Sequence, residues 1–368
     1  MHLKEVTRLE LPATADMHVH LRQDKLMELV TPYIRHGGVD TVFVMPNLQP
    51  PITSVSQALE YKAKLQAIEP NVYTAVTPET ITEAAKAGIT GVKVYPQGVT
   101  TNSAAGVSTY EDFFPVFAEM EKQDMVLNLH GEVPSTSRPG ITDLNAEEEF
   151  LPTLKMLNEK FPKLRIILEH CTTEAALNAV RECSSSVGGM SFSFPSRFEM
   201  EMDGILATIT AHHLYLTVHN KEDPFAFCKP IPKKASDRDA LLKAVISGEE
   251  KFFFGSDSAP HLLANKRGAQ SPPAGVFTQP CVTQYVLLAL EEAVERGLIS
   301  ADEITQEKLE NFLSRFGRKF YKLPQTTNRI VLEKKGEKIP ESIKSEDGTE
   351  VGLSRGGDGG VFSLSWTA

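Results

Sequence analysis

Residues 16–22 read Asp16-Met-His-Val-His-Leu-Arg22. Residues two apart on a strand point to one face, so His18 and His20 aim their rings at one spot while Met17, Val19 and Leu21 pack the other way. A guanidinium follows at once at Arg22. Neutral imidazole is the commonest metal ligand. An H-x-H triplet alone is nevertheless common, and two hydrogen-bonded core histidines are its ordinary explanation. The rest of the chain has to decide.

Outward from this stretch, short apolar runs alternate with longer helical patterns. TADMHVHL precedes a helical DKLMELVTPYIRHGG, VDTVFV precedes SVSQALEYKAKLQAI, NVYTAV precedes TEAAKAG, and TGVKV precedes YEDFFPVFAEMEKQ. MVLNL then precedes EEEFLPTLKMLNEKF, and LRIIL precedes TEAALNAVREC. Repeated β-α units imply parallel strands joined by crossover helices, and runs rich in Val, Ile and Leu imply strands buried on both faces. Adding ILATIT and KFFFGSD brings the strands to eight, the number required by a (β/α)8 TIM barrel. We read residues 14–325 as that α/β barrel, 1–13 as a short N-terminal strand, and 326–368 as a C-terminal appendage that pairs with it.

Active sites of such barrels lie at the C-terminal ends of the strands. Those ends carry His18, His20 and Arg22, then Asn47, Lys93, His130, His170, and finally Asp257 with His261 after it. Taken singly, each has an ordinary explanation: a snorkelling lysine, satisfied core histidines, an aspartate capping a helix. Together they point to a metal site. His2, His36, His212, His213 and His219 carry no such argument and read as surface or structural residues.

Lys93 needs a chemical reason among metal ligands, because an ammonium with a pKa of about 10.4 repels cations. Carbamylation by carbon dioxide supplies one, turning the amine into a long-armed carboxylate able to bridge two cations about 3.5–4 Å apart.

The 368 residues, with 41% hydrophobic and 23% charged content, suffice for a large core. A net charge of -10 argues against a general affinity for nucleic acid or anionic membranes and favours a small-molecule partner. Cys171, Cys183, Cys228 and Cys281 lie far apart without CxxC spacing, and the chain opens without a basic-then-apolar leader. Free thiols and a cytoplasmic location are expected. No apolar run approaches the roughly 20 residues of a membrane span.

The set DMHVHLR, MPNLQPP, GVKVYPQGVTTNS, LNLHGE, LEHCTT and GSDSAPH, in this order and spacing, resembles the dihydroorotases of the homodimeric, single-function (type II) class within the amidohydrolase superfamily. The resemblance runs from about Ala15 to at least Cys281. It implies two zinc ions: His18, His20 and Asp257 on the more buried one, His130 and His170 on the second, and carbamylated Lys93 as the bridge. It implies that Arg22, Asn47 and His261 hold the substrate carboxylate, that Thr100 and Thr101 belong to a loop closing over the substrate, and that Ala274 and Gly275 contact it through the backbone. In FCKPIPKK, Lys229 stands where bacterial members usually have Leu, which bears on recognition of the pyrimidine edge.

The implied reaction is the reversible closure of N-carbamoyl-L-aspartate to L-dihydroorotate with loss of water, a step of pyrimidine synthesis, with a bridging hydroxide as nucleophile in the hydrolytic direction and Asp257 as general acid and base. Two rivals stand beside it. One is a hydantoinase or dihydropyrimidinase-type hydrolase, whose substrates have no use for Arg22 and Asn47. The other is a non-catalytic scaffold, which would be expected to have lost ligands.

Overall fold

Each strand-like run becomes a strand. The computed structural model describes residues 1–76, 81–100, 103, 106–183, 204–220 and 222–367. After β1 (Arg8–Pro12) come eight strands: β2 (Thr14–Val19), β3 (Val39–Val44), β4 (Tyr73–Val76), β5 (Gly91–Val94), β6 (Val126–His130), β7 (Arg165–Glu169), β8 (Ile205–Ile209) and β9 (Phe252–Phe254). All their ladders are parallel, running β2-β3-β4 and β5-β6-β7-β8-β9. A parallel bridge between Val19 and Ser258 joins the last strand region to the first. The architecture is a (β/α)8 barrel. Every residue of β2, β3, β6, β7, β8 and β9 is buried, as continuous apolar runs covered on both faces require.

Two sequence expectations change in detail. The helix expected over DKLMELVTPYIRHGG is two, Asp24–Val30 and Tyr33–His36. Pro32 lacks the N–H needed to continue the first helix. Met17 does not pack with Val19 and Leu21. It joins Ala15, Phe43, Val126, Ile167, Leu206 and Phe253 in an inner cluster, whereas Val19 and Leu21 belong to the outer layer. The β2–β3 register shifts between Asp16 and Val19. This irregularity turns both Met17 and His18 inward, as a bulge does.

The inner cluster is completed by Phe316, Phe320 and Tyr321, supplied by the helix Phe316–Phe320 and the residue after it. Gly317 packs so closely on Met17 that an added Cβ would lie 2.8 Å from its Cγ. Beyond the barrel, β10 (Arg329–Lys338) pairs antiparallel with β1, and β13 (Gly359–Trp366) pairs with β10. Trp366 donates to the Arg35 carbonyl at 3.0 Å and lies under the Arg35 guanidinium. The hairpin of β11 (Ser342–Lys344) and β12 (Glu350–Gly352) packs beside Phe225 and Leu263. No helix among the described residues is long and apolar enough to cross a membrane.

Asp40, on β3, joins these parts. It is buried and accepts from Arg318, from Thr326 Oγ1 at 2.6 Å and from Asn328 Nδ2 at 2.9 Å. Asp40→Ala leaves the buried Arg318 guanidinium without its carboxylate. We expect a loss of about 3–5 kcal/mol in unfolding free energy, read by urea denaturation; a loss below about 1 kcal/mol would show that the network carries no stability.

Candidate metal and anion site

At the C-terminal mouth of the barrel the strand ends converge. Asp257 donates its N–H to His18 O at 2.7 Å, and His20 N donates to Ser258 O at 3.0 Å, so the contacts that join β9 to β2 also set three site residues side by side. His20 Nδ1 lies 2.8 Å from Met45 O. A carbonyl only accepts, so Nδ1 carries the proton and Nε2 presents a lone pair. That lone pair faces Asp257 Oδ1 at 3.0 Å. His18 repeats the arrangement: Nδ1 donates to Glu169 Oε2 at 2.7 Å, while Nε2 is buried, without a hydrogen-bond partner, and 3.4 Å from the same Asp257 oxygen. Three electron-rich atoms facing one another in a buried space are a set that can hold a cation between them. The ligand atoms of His18, His20 and Asp257 lie within 4.8 Å of one another, a spacing suited to one metal ion.

The surroundings bias the charges the same way. Burial holds His20 down at about 4, so its ring is neutral and able to ligate. Burial works against charge on Asp257, but the neighbouring imidazoles of His20, His18 and His212 prevail and hold the carboxyl below the usual carboxylate range.

A hydrogen-bonded column supports His18 from below. Glu169 accepts from Thr208 Oγ1 and from Asn128 Nδ2, both at 2.6 Å, and Asn128 reaches on to Tyr321 OH. On the neighbouring strand ends, Asp16 Oδ1 accepts from His18 N at 3.2 Å and Ser256 N at 2.8 Å. A Cβ on Gly255 would come within 2.9 Å of His18 Cβ, so the strand carrying Asp257 passes close only as glycine. Glu169, Asp16 and Asn128 escaped the sequence reading, although acids on wholly apolar strands were a usable signal: a buried carboxylate needs a partner.

His170 packs its ring 5.1 Å from that of His18 and 4.6 Å from that of His130, which continues the row of imidazoles. His170 Nδ1 is buried without a partner. His130 turns Nε2 to Glu132 Oε2 at 2.9 Å, leaving Nδ1 on the side away from that carboxylate. Glu132 is itself buried, with Lys233 Nζ 3.5 Å away. Lys93 Nζ is enclosed and has no hydrogen-bond partner. Burial pushes its ammonium down, against the pull of Glu169 and Asp257.

Arg22 and His261 form a second cluster. Arg22 Nε donates to Pro260 O at 3.0 Å, and Tyr61 OH donates to Arg22 O at 2.7 Å. His261 Nε2 lies 2.8 Å from Ala274 O and 3.2 Å from Arg22 Nη2. A carbonyl only accepts and a guanidinium only donates, so both bonds cannot hold. The shorter contact puts the proton on Nε2 and leaves Nη2 its protons for another acceptor. Burial and the Arg22 charge hold His261 at about 3, and burial lowers Arg22 to about 10, so at neutral pH the cation here is the guanidinium. Gly275, at φ +151°, has no room for a side chain: a Cβ would meet Ala259 O and His261 Cδ2.

Arg22, His170 and Asp257 all have left-handed backbone, with φ of 59°, 43° and 46°. Such conformations cost energy in residues other than glycine and concentrate where function holds them. Asn47 lies half-buried three residues beyond β3, its N–H on Met45 O. Thr100 is engaged by Ser103 through both N–H and carbonyl. Thr101 lies outside the described residues.

Residues 67–264 match the amidohydrolase family. The chain is 45% identical to a probable dihydroorotase of Schizosaccharomyces pombe, over 92% of this chain and 94% of that protein. It is 41% identical to a dihydroorotase of Saccharomyces cerevisiae, over 98% and 99%. The chain belongs to the dihydroorotase family. A crystal structure of the Saccharomyces cerevisiae dihydroorotase in complex with 5-fluoroorotic acid superposes with a TM-score of 0.87 at 40% identity, covering 98% of this chain and 99% of that one. Membership of the dihydroorotase family thus extends over the barrel and the terminal strands alike.

Glu169→Ala removes the acceptor that fixes the His18 tautomer. We expect metal affinity to fall about 10- to 100-fold, measured by chelator competition, and Glu169→Gln, which keeps an acceptor oxygen, to lose less. Equal affinities in all three proteins would exclude an orienting role for Glu169.

Proposed function

We propose that the protein is a zinc-dependent dihydroorotase that reversibly closes N-carbamoyl-L-aspartate to L-dihydroorotate with loss of water. The observation that carries this reading is the pairing of a lone-pair cluster with a half-buried guanidinium. His18, His20 and Asp257 converge where a cation is needed, and Arg22 with His261 stands ready for a carboxylate. A cyclic amide bearing a carboxylate calls for both.

His18, His20 and Asp257 would hold one zinc ion and His130 and His170 a second. Lys93 suits the bridge because its Nζ is enclosed and unpartnered. A neutral amine can add to carbon dioxide, forming an N–C bond and releasing a proton, and the resulting anion would suit cations held by the neighbouring residues. Bound there, divalent zinc supplies Lewis acidity and a water acidic enough to attack at neutral pH.

The chain's own groups do the rest. Asp257, ionised at rest, accepts the proton of the attacking water and returns it to the ring nitrogen as the C–N bond breaks; in the closing direction it carries the proton back. Arg22 offers a fork that matches a carboxylate in two hydrogen bonds. Asn47 and His261 complete the anion site, Ala274 and Gly275 line it with backbone, and Thr100 and Thr101 belong to the loop over it. A homodimer in the cytoplasm is part of the proposal, with light scattering as the check on its assembly.

Family membership and the cation-seeking cluster support catalysis over a scaffold role, and Arg22 favours dihydroorotate over hydantoin. In an ultraviolet assay of dihydroorotate loss, wild type is expected to be active after zinc and bicarbonate loading, and Asp257→Asn to lose about 100-fold or more in kcat. Arg22→Met is expected to raise KM at unchanged metal content. A loaded wild type that prefers hydantoin to dihydroorotate would overturn the assignment.

A further inference from the structure

After β8 the chain enters a short helical turn, His212–Leu214, and then runs through the FCKPIPKK segment where Lys229 departs from the bacterial pattern. These two segments bring together His212, His213 and Cys228, all buried, with one ligand atom from each within 4.8 Å of the others. None of the three belongs to the set assigned above.

His212 is the puzzle. It is fully buried, and neither ring nitrogen has a hydrogen-bond partner. A neutral imidazole has one N–H and one lone pair, and buried polar groups in folded proteins almost always find partners. Its ring lies 4.3 Å from that of His213. The neighbours are engaged in a way that a cation could use. His213 Nδ1 is 2.8 Å from Thr210 Oγ1, the kind of second contact that fixes a ligating imidazole with Nε2 outward. His213 Nε2 and Cys228 Sγ are 3.8 Å apart, and Pro230 O lies 3.1 Å from the nitrogen and 3.3 Å from the sulfur. Two imidazoles, a thiol and a carbonyl therefore surround one small space.

We propose that His212, His213 and Cys228 form a third cation site, for a borderline or soft divalent ion such as zinc, with the Pro230 carbonyl as a fourth donor. A nitrogen-rich set with one sulfur selects zinc over magnesium or calcium. On binding, the Cys228 S–H bond is replaced by a sulfur–metal bond and one proton leaves to solvent. His213 moves its remaining proton to Nδ1, which then donates to Thr210 Oγ1. The ion clamps the end of β8 to the segment whose Phe227 carbonyl accepts from both Gly275 N, at 3.0 Å, and Lys266 Nζ, at 3.1 Å. A cation there stiffens one wall of the anion site without touching the reacting atoms.

The test uses the full chain, depleted of metal and titrated with cadmium, and follows the ultraviolet charge-transfer band of a cadmium–thiolate bond. Wild type is expected to develop the band at one equivalent per chain, and Cys228→Ser to lose it and to bind one equivalent fewer by elemental analysis. Cys171→Ser, which removes the thiol beside His170, is expected to keep it. Should Cys228→Ser not fold, His212→Asn carries the test, with an affinity at least 10-fold weaker for the ion that gives the band. Absence of the band in wild type, or its persistence in Cys228→Ser, overturns the proposal. His18→Ala separates this site from the catalytic one: it lowers total metal but leaves the thiolate band intact, so failure of either reading is visible without the other.

Discussion

The feature on which the rest of the structure depends is the opposition of lone pairs at the barrel mouth. Met45 O and Glu169 each take the Nδ1 proton of a histidine, and by doing so leave His18 and His20 with bare Nε2 atoms aimed at an ionised Asp257. Without a cation this arrangement is repulsive and buried, the worst place for uncompensated charge. With one it becomes a ligand set whose members were oriented in advance. Carbonyl and carboxylate acceptors beneath the rings thus decide the chemistry above them, because they choose which nitrogen is available.

The same interactions are structural. Asp257 N bonds to His18 O where the segment after β9 meets β2, so the joining of the barrel and the assembly of the candidate metal site are one event. Below, the Tyr321–Asn128–Glu169–His18 column runs from the plug of aromatic residues to the ligands. A disturbance at that aromatic cluster therefore has a hydrogen-bonded route to the candidate ligands. The left-handed backbone at His170 and Asp257 is held by bonds from His170 N to Thr208 Oγ1 and from Asp257 N to His18 O, each 2.7 Å, and that at Arg22 by Tyr61 OH on its carbonyl.

Much of this was legible in the linear chain. The eight strands followed from apolar runs recurring at β-α spacing, because burial on both faces leaves a continuous signal. His18, His20 and Asp257 were legible as polar residues ending those runs. What was not legible depended on partners distant in sequence. The bulge that turns Met17 inward arises from how β2 pairs with β3, which alternation within one strand cannot reveal. Glu169 and Asp16 looked like single acids because their partners, His18 and Ser256, come from other strands. His212 and His213 were set aside for the same reason, since Cys228 joins them only after a loop has folded back.

The two clusters also explain why this site contains both a lysine and an arginine. Lys93 sits where burial lowers its ammonium, and a group able to lose its proton can become something other than a cation. Arg22 is half-buried, yet at about 10 its guanidinium stays charged at neutral pH. An exchange of the two would undo both proposed roles: an arginine at position 93 would place a permanent positive charge against the candidate metal ligands, and a lysine at position 22 would lose the planar fork that matches a carboxylate. The division of labour between a cation that can be converted and one that cannot is set by side-chain chemistry, and the barrel supplies the positions at which each is useful.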